Sequence, residues 1–414
     1  MLRRVLPREL GMPFRWLFGS MTVTNLGDGL LLAAGPLLVA GLTRDPLAVS
    51  FAIFAQRLPW LLFGILAGAV VDRVNRLRLV MVADALRVVV VGLLALLLAF
   101  DEVTLPLVYV VFFLLGTAET FADNAGSTLV VQLVPRAQLG RANSRIFGSV
   151  MITNQLAGPP LGAALFTVAG WLAFGANAVL CALGVVLLLR LRGSALTRRR
   201  ADTRPDGMPA ARATVRAQTA EGVRWLLHHP PMRTLALMIL LFNVTFGASY
   251  GVYVLYAQER LGLDGLGFGL LMAMSAVGGV LGSAVYGRLE MRFSYTALLR
   301  AGLVLETLSH AALALTRSPW VAGAILFAFG VHATIWGTTS TTVRQRAVPD
   351  QLLGRVTSVY LLASLGGISI GTLLGGWVGQ QWGIVAVFWA AFVGCCLTLP
   401  FLWRPMRHIG RAAA

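Results

Sequence analysis

Several ionisable side chains stand inside apolar runs, where each must be paired, protonated or put to use. Asp28 lies about fourteen residues into the run 14–42, and Arg57 about ten residues into the run 47–71. Glu306 and His310 stand four apart in the run 295–315, so they share one helix face. His332 and Trp336 stand four apart in the run 319–342. An unpaired charge in hydrocarbon costs roughly 2.5–3.5 kcal/mol on insertion scales. At about 1.5 Å rise per residue, Asp28 and Arg57 both come near mid-depth, and two readings stay open. They can form a permanent bridge that offsets both burials. Alternatively, Asp28 is a proton carrier, neutral in one working state. A carboxylate beside a fixed cation is held ionised, so a tight bridge opposes the second reading unless transport separates the pair. Glu306 and His310 form a second titratable pair, which is better read as structural.

Other chemistries are missing. All 34 basic residues are arginine. Without lysine there is no P-loop phosphate clamp and no Schiff base for retinal or pyridoxal phosphate. The sequence carries no H-E-x-x-H and no G-x-S-x-G. Cys181, Cys395 and Cys396 lie in apolar runs with neither disulfide nor metal-ligand spacing. We expect no enzyme, cofactor or metal.

The elements that hold these residues follow from composition. Of 414 residues 57% are hydrophobic and only 12% charged, with net charge +17. A soluble globule needs roughly 25% charged residues, which excludes a water-soluble protein. The basic excess suggests nucleic acid at first sight, but the arginines fall in short clusters between apolar stretches, so no nucleic-acid partner is expected. A hydrocarbon core about 30 Å thick takes roughly 20 residues of helix. Twelve stretches meet that length: 14–42, 47–71, 79–100, 104–122, 139–168, 171–190, 233–257, 266–288, 295–315, 319–342, 353–380 and 384–403. The expectation is an all-α membrane protein with an N-terminal six-helix bundle (1–190), a linker (191–232) and a C-terminal six-helix bundle (233–414).

Arginine placement orients these spans. One side collects Arg3, Arg4, Arg8, Arg73, Arg76, Arg78, Arg136, Arg141, Arg145, the linker arginines, Arg344, Arg346, Arg404 and Arg407; the other holds Arg44, Arg260 and Arg317. Both termini are therefore expected on the cytoplasmic side of a bacterial inner membrane. The linker end, 214–227, alternates apolar and basic positions at helical spacing. It reads either as an amphipathic helix on the anionic leaflet or as a solvated connector.

An internal repeat supports two halves. Val134-Pro135-Arg136-Ala137-Gln138-Leu139-Gly140-Arg141 recurs as Val348-Pro349-Asp350-Gln351-Leu352-Leu353-Gly354-Arg355, a shift of 214 residues (349 − 135). The same shift carries Gly64, Gly68 and Gly162 onto Gly278, Gly282 and Gly376. Gly68-Ala69-Val70-Val71-Asp72-Arg73-Val74-Asn75-Arg76-Leu77-Arg78 resembles the loop 2–3 signature G-x-x-x-D-R-x-x-R-x-R of the major facilitator superfamily, except that Val74 replaces its usual glycine. Glu221-Gly222-Val223-Arg224, Arg344-Gln345-Arg346 and Gly354-Arg355 resemble its branch of enterobactin exporters and macrolide efflux pumps.

The resemblance implies twelve helices in two pseudo-symmetric bundles and alternating access. It assigns Gly68, Asp72, Arg73 and Arg76 to a conformational latch, for which Glu119 and Asp123 at the end of span 4 are candidate acid partners. Gly158-Pro159-Pro160-Leu161-Gly162 partly resembles the span-5 signature of proton-driven exporters, with Ala163 in place of its last glycine. Spans 1, 7 and 10 line the family's cavity, which offers Asn25, Asn243, Tyr250, Tyr253, His332 and Trp336 as contacts for an amphipathic organic ligand. Asp28, Arg57, Glu306 and His332 are the proton-coupling candidates. The expected function is proton-coupled efflux of a small amphipathic drug, siderophore or metabolite by a monomer in the lipid bilayer. The alternatives are an uptake symporter or facilitator, and a non-transporting receptor or scaffold on the same fold.

The D-R-x-x-R spacing yields one test. Asp72→Asn should lower transport in reconstituted vesicles by at least about tenfold, the effect of a coupling of ~1.4 kcal/mol, while insertion and melting temperature stay near wild type. A wild-type transport rate would remove the latch.

Overall fold

In hydrocarbon a backbone must satisfy its own polar groups, and long apolar runs do so as helices. The structure, a computed structural model, describes residues 10–71, 73–191 and 215–412, and among them there is no strand. The helices are α1 (Gly11–Leu42), α2 (Pro46–Val71), α3 (Arg76–Ala99), α4 (Leu105–Leu133), α5 (Leu139–Val150), α6 (Gly158–Val168) and α7 (Gly170–Leu189). The second half adds α8 (Val215–His228), α9 (Pro230–Gly251), α10 (Gly265–Arg292), α11 (Tyr295–Leu315), α12 (Pro319–Ala347), α13 (Asp350–Trp382), α14 (Ile384–Trp403) and α15 (Met406–Ala412). Eleven of these are long and apolar enough to cross a membrane. A twelfth crossing is composite: α5 and α6 are joined through π-helical Met151–Ala157. At 1.5 Å per residue, residues 139–168 reach about 45 Å. The twelve-helix all-α membrane fold is thus present.

Helix starts follow local chemistry. Asn75, Asp264 and Ser294 accept the backbone N–H groups of Arg78, Gly267 and Ala297 at 3.1, 2.7 and 3.2 Å, satisfying donors that have no intrahelical partner. Prolines open α2, α9 and α12, where the missing N–H costs nothing. Gly383, at φ +86°, makes the turn between α13 and α14, a conformation that side chains with Cβ resist.

Span 4 differs from expectation. It continues beyond residue 122 to Leu133, because its polar residues bond to their own helix. Asn124 donates to the Thr120 carbonyl at 2.7 Å, and Thr128 to that of Ala125 at 2.7 Å. Glu119 and Asp123 therefore lie well inside α4 rather than at its end.

The chain forms two compact units: Met1–Leu38 with Leu58–Arg212, and Val39–Arg57 with Ala213–Ala414. In the first, the start of α1 (Phe14, Leu17), the end of α2 (Val71), the start of α3 (Val80, Met81), the end of α4 (Leu129, Val130) and the end of α7 (Leu188) share one core. Alternate helix ends meet, as up-and-down spans require. In the second, the starts of α9 (Met232, Leu235), α11 (Leu299, Leu303) and α13 (Val356, Tyr360) share a core with the ends of α12 (Val343) and α14 (Leu402). The connector helix α8 forms and joins that core through Leu226. Gly222 lets α8 approach the Arg355 backbone, and Arg355 meets Glu221 at 2.5 Å. The Glu221-Gly222 and Gly354-Arg355 pieces thus dock this helix on α13.

Glycines set the close crossings, as in other membrane helix pairs. A Cβ on Gly158 or Gly162 of α6 would run into the α1 backbone at Gly29 or Leu30. In the second unit, Gly367, Gly371 and Gly375 of α13 bring it equally close to α9. Gly278 and Gly282 of α10 likewise touch the α12 backbone at Phe327 and Val331. Their counterparts by the repeat do not: Gly68 has open space, and Phe63 and Phe113 pack between α2 and α4 with rings 6.3 Å apart.

Gly162→Leu should therefore lower the melting temperature of detergent-purified protein, by the equivalent of about 1–3 kcal/mol of overpacking. Gly140→Ala, at a position with open space, should leave it unchanged. Equal melting temperatures for the two variants would contradict the α1–α6 crossing.

Candidate functional site

The first unit holds a charge cluster in the middle of its helices. Arg87 stands eleven residues from Arg76 and twelve from Ala99, the two ends of α3 (87 − 76 and 99 − 87). One guanidinium nitrogen, Nη1, donates to Asp84 Oδ1 at 3.2 Å, and Nη2 donates to Asp28 Oδ1. The Arg87 and Asp84 side chains are 6% and 4% exposed, and Asp28 is 19% exposed. Asp84 and Arg87 are three apart on one helix face, so α3 supplies its own ion pair and α1 adds the second carboxylate.

Neighbouring elements complete the site. Asp123 of α4 lies close enough to act electrostatically on Asp84, and it feels both Glu119 and Arg87. Asp28 and Asp84 thus hold the Arg87 guanidinium, Asp123 lies within its electrostatic reach, and Glu119 lies near Asp123. On α7, Cys181 approaches Asn177 Oδ1 at 3.6 Å, and Asn177 Nδ2 is buried without a hydrogen-bond partner among the described residues. Gly27 admits the Asn177 amide against α1. Successive helical residues point about 100° apart. Asp28 therefore faces α3 while Gly29 and Leu30 lie against α6. The span-5 glycines and Asp28 are two sides of the same stretch of α1. The π-helical turn beside it carries Asn154, whose amide donates to the Asn25 carbonyl at 3.3 Å; such turns recur at functional sites.

Several expectations change here. Asp28 does not pair with Arg57. Its partner is Arg87, and the Arg57 guanidinium instead lies 5.8 Å from the ring centre of Tyr250. The reason is packing: Arg57 clusters with the second unit and Asp28 with the first. Glu306 does not pair with His310. Glu306 Oε2 meets His332 Nε2 at 3.3 Å, and His310 Nδ1 meets Ser249 Oγ at 3.1 Å. Gly302 makes this possible, since a Cβ there would reach the His332 ring. Asp123, proposed as a latch acid, lies within electrostatic reach of Arg87, and Glu119 lies near Asp123. Gly68 and Arg76 are partly buried and Arg73 is exposed, while Asp72 lies outside the described residues.

The expected cavity contacts fall in different environments. Asn25 donates to the Met21 carbonyl of its own helix at 2.7 Å, and Asn243 donates to Ser364 Oγ at 2.7 Å. Tyr253 is buried against Tyr256 and Phe268. His332 and Trp336 are buried with their rings 6.2 Å apart. Tyr250 is partly exposed. Asp84, Arg87 and Asn177 were missed. The signal for the first two was present: an acid and a base three apart in the middle of the run 79–100 are as conspicuous as Asp28. Asn177 carried no comparable signal.

Comparison with known proteins agrees with this architecture. The family model described as Major Facilitator Superfamily matches residues 17–368 and 235–413. Multidrug efflux pump Tap of Mycolicibacterium fortuitum is 28% identical over 409 residues, covering 93% of this chain and 92% of its own. An uncharacterised MFS-type transporter, YfiS, of Bacillus subtilis is 26% identical, covering 88% and 87%. Among solved structures, that of a mutant of the nucleoside transporter NupG superposes with a TM-score of 0.76 at 13% identity, covering 95% of this chain and 99% of its own.

The pairing can be measured. Arg87→Gln leaves buried Asp84 and partly buried Asp28 without their cation and should destabilise the protein by about 3–5 kcal/mol. Adding Asp28→Asn to Arg87→Gln should recover part of that loss, whereas Asp28→Asn and Arg57→Gln should be additive within about 0.5 kcal/mol. Thermal melts of the single and double variants decide between the two partners.

Proposed function

This chain belongs to the major facilitator superfamily and is a multi-span membrane transporter, and on that premise we propose that it expels small amphipathic molecules, cations among them, in exchange for protons. The observation that carries the proposal is the acid surplus around Arg87. One guanidinium balances one carboxylate; Asp84 is buried, Asp28 and Glu119 are partly buried and Asp123 is exposed, so the cluster is open on one side to an exchangeable partner. The remaining negative charge is then available to protons or to a cation from outside the protein. Two alternative occupants of one acidic site constitute an exchange: a proton arriving weakens the hold on a cationic drug, and the drug displaces protons. Asp28, Asp84, Glu119 and Asp123 are the groups that trade, and Arg87 keeps the cluster ordered in both states.

Export as the direction is supported by the relative named as a multidrug efflux pump. The arginine-rich helix ends face the cytoplasm by the positive-inside rule. Inward proton movement then supplies about 2.3 kcal/mol per charge per 100 mV, enough for uphill export when the two bundles rock about a mid-membrane site. The Glu306–His332 pair is the second titratable group of this kind. It binds one acid to one base, so it has no surplus to trade and serves to hold α11 against α12.

The test uses everted membrane vesicles with an imposed pH gradient, acid inside, and a panel of lipophilic cations and neutral macrolides. Wild-type chain should concentrate the cations inside the vesicles. Asp84→Asn should lower this proton-driven uptake by at least about tenfold, the effect of losing one ~1.4 kcal/mol interaction, and still permit exchange down a substrate gradient. Gradient-driven uptake at the wild-type rate in Asp84→Asn would move the coupling site away from Arg87. Faster drug accumulation in whole cells expressing the chain would reverse the direction.

A further inference from the structure

A second feature lies on the second unit. A groove of about 520 Å³ runs along α11 and α12 and ends at Arg300 and Trp403. Its walls are Val304, Leu305, Leu308 and Ala312 of α11 with Ile325 and Ala328 of α12. The only other polar side chain in its lining is Ser309, whose hydroxyl is occupied by the Leu305 carbonyl at 2.8 Å. The groove therefore offers one cation at one end and hydrocarbon over the remainder.

Arg300 is held for that task. Its guanidinium stacks on the Trp403 ring with its central carbon 4.6 Å from the ring centre, and Nη2 donates to the Trp403 carbonyl. Its Nε is buried and has no hydrogen-bond partner among the described residues. Stacking fixes the plane of the guanidinium and leaves donors directed elsewhere. Arg404 and Arg407, both exposed, follow Trp403 directly, and Thr296 of α11 bonds to the Met406 carbonyl at 3.1 Å. The mouth of the groove is thus the arginine-rich end of α11.

We propose that this groove binds one anionic glycerophospholipid of the arginine-rich leaflet, its phosphate at Arg300 and an acyl chain along α11. Length supports the assignment. Twelve residues separate Arg300 from Ala312 (312 − 300), which is about 18 Å of helix. One leaflet's share of a hydrocarbon core about 30 Å thick is about 15 Å. An acyl chain fills such a groove from head to bilayer centre, and the single cation selects an anionic head over a zwitterionic one. A soluble organic anion would not use the apolar length, and a second copy of the chain would leave the cation unmatched.

The experiment is native mass spectrometry of the purified full-length chain from micelles doped with phosphatidylglycerol or phosphatidylcholine of identical chains. Wild-type protein should retain phosphatidylglycerol preferentially, and its melting temperature should rise more with that lipid. Arg300→Gln should reduce phosphatidylglycerol retention about fivefold, the weight of one arginine near an anionic headgroup, and leave phosphatidylcholine unchanged. Arg300→Lys should keep the preference. Leu308→Trp, which fills the groove at an exposed position, should reduce retention of both lipids. Arg317→Gln, at the far end of α11, should change nothing. Equal retention of the two lipids by wild type, undiminished phosphatidylglycerol retention in Arg300→Gln or Leu308→Trp, or a dimer in place of lipid adducts would each overturn the proposal.

Discussion

The guanidinium of Arg87, held by two carboxylates half-way along an apolar helix, is the constraint on which the first unit is arranged. A lone cation at that depth would be expelled or would drag water with it. Asp84 supplies one counter-charge from the same helix face, and Asp28 supplies the other from α1. That second contact fixes the rotation of α1. With Asp28 committed to α3, Gly29 and Leu30 are committed to the opposite side, where only glycine on α6 leaves enough room. The span-5 motif is therefore the steric counterpart of an electrostatic requirement. Its proline follows a π-helical turn that already interrupts the regular hydrogen-bond ladder.

The two halves are related in their backbone devices and unrelated in their charges. The 214-residue shift preserves the Val-Pro…Gly-Arg loop and several glycines. It carries Asp28 to Phe242, Asp84 to Leu298, Arg87 to Ala301, Glu119 to Ala333 and Asp123 to Gly337. In the reverse direction Glu306 falls on Gly92 and His332 on Ala118. Each half thus keeps what a six-helix bundle needs and holds its own ionisable set. Within its helices the first unit sets Asp28, Asp84 and Asp123 against Arg87; the second carries an acid–base pair and a hydroxyl-bonded histidine.

Much of the fold was legible from residues alone. Apolar length gave the spans, since this depends on local composition against a bilayer of set thickness; the expected division at 1–190 and 233–414 differs from the two compact units, where Val39–Arg57 goes with the second. The exceptions are instructive. Span 4 ran past Asp123 because Asn124, Ser127 and Thr128 return their side-chain donors to helix carbonyls; polarity marked no helix end there. Span 5 was recognised as one crossing, but its π-helical interruption left no separate mark.

The sequence by itself determined that this is a twelve-span membrane protein with charges inside its helices, because insertion energetics and helix length are properties of single segments. Only the tertiary structure decided which charges meet. Asp28 had Arg57 and Arg87 at comparable depths, and Glu306 had His310 on its own face and His332 on another helix. Depth is read from position along one helix, whereas partnership depends on the rotation and neighbours of two. Those are set by close crossings such as Gly158 on Gly29 and by the space Gly302 leaves for His332, contacts between residues far apart in the chain whose types alone do not name their partners.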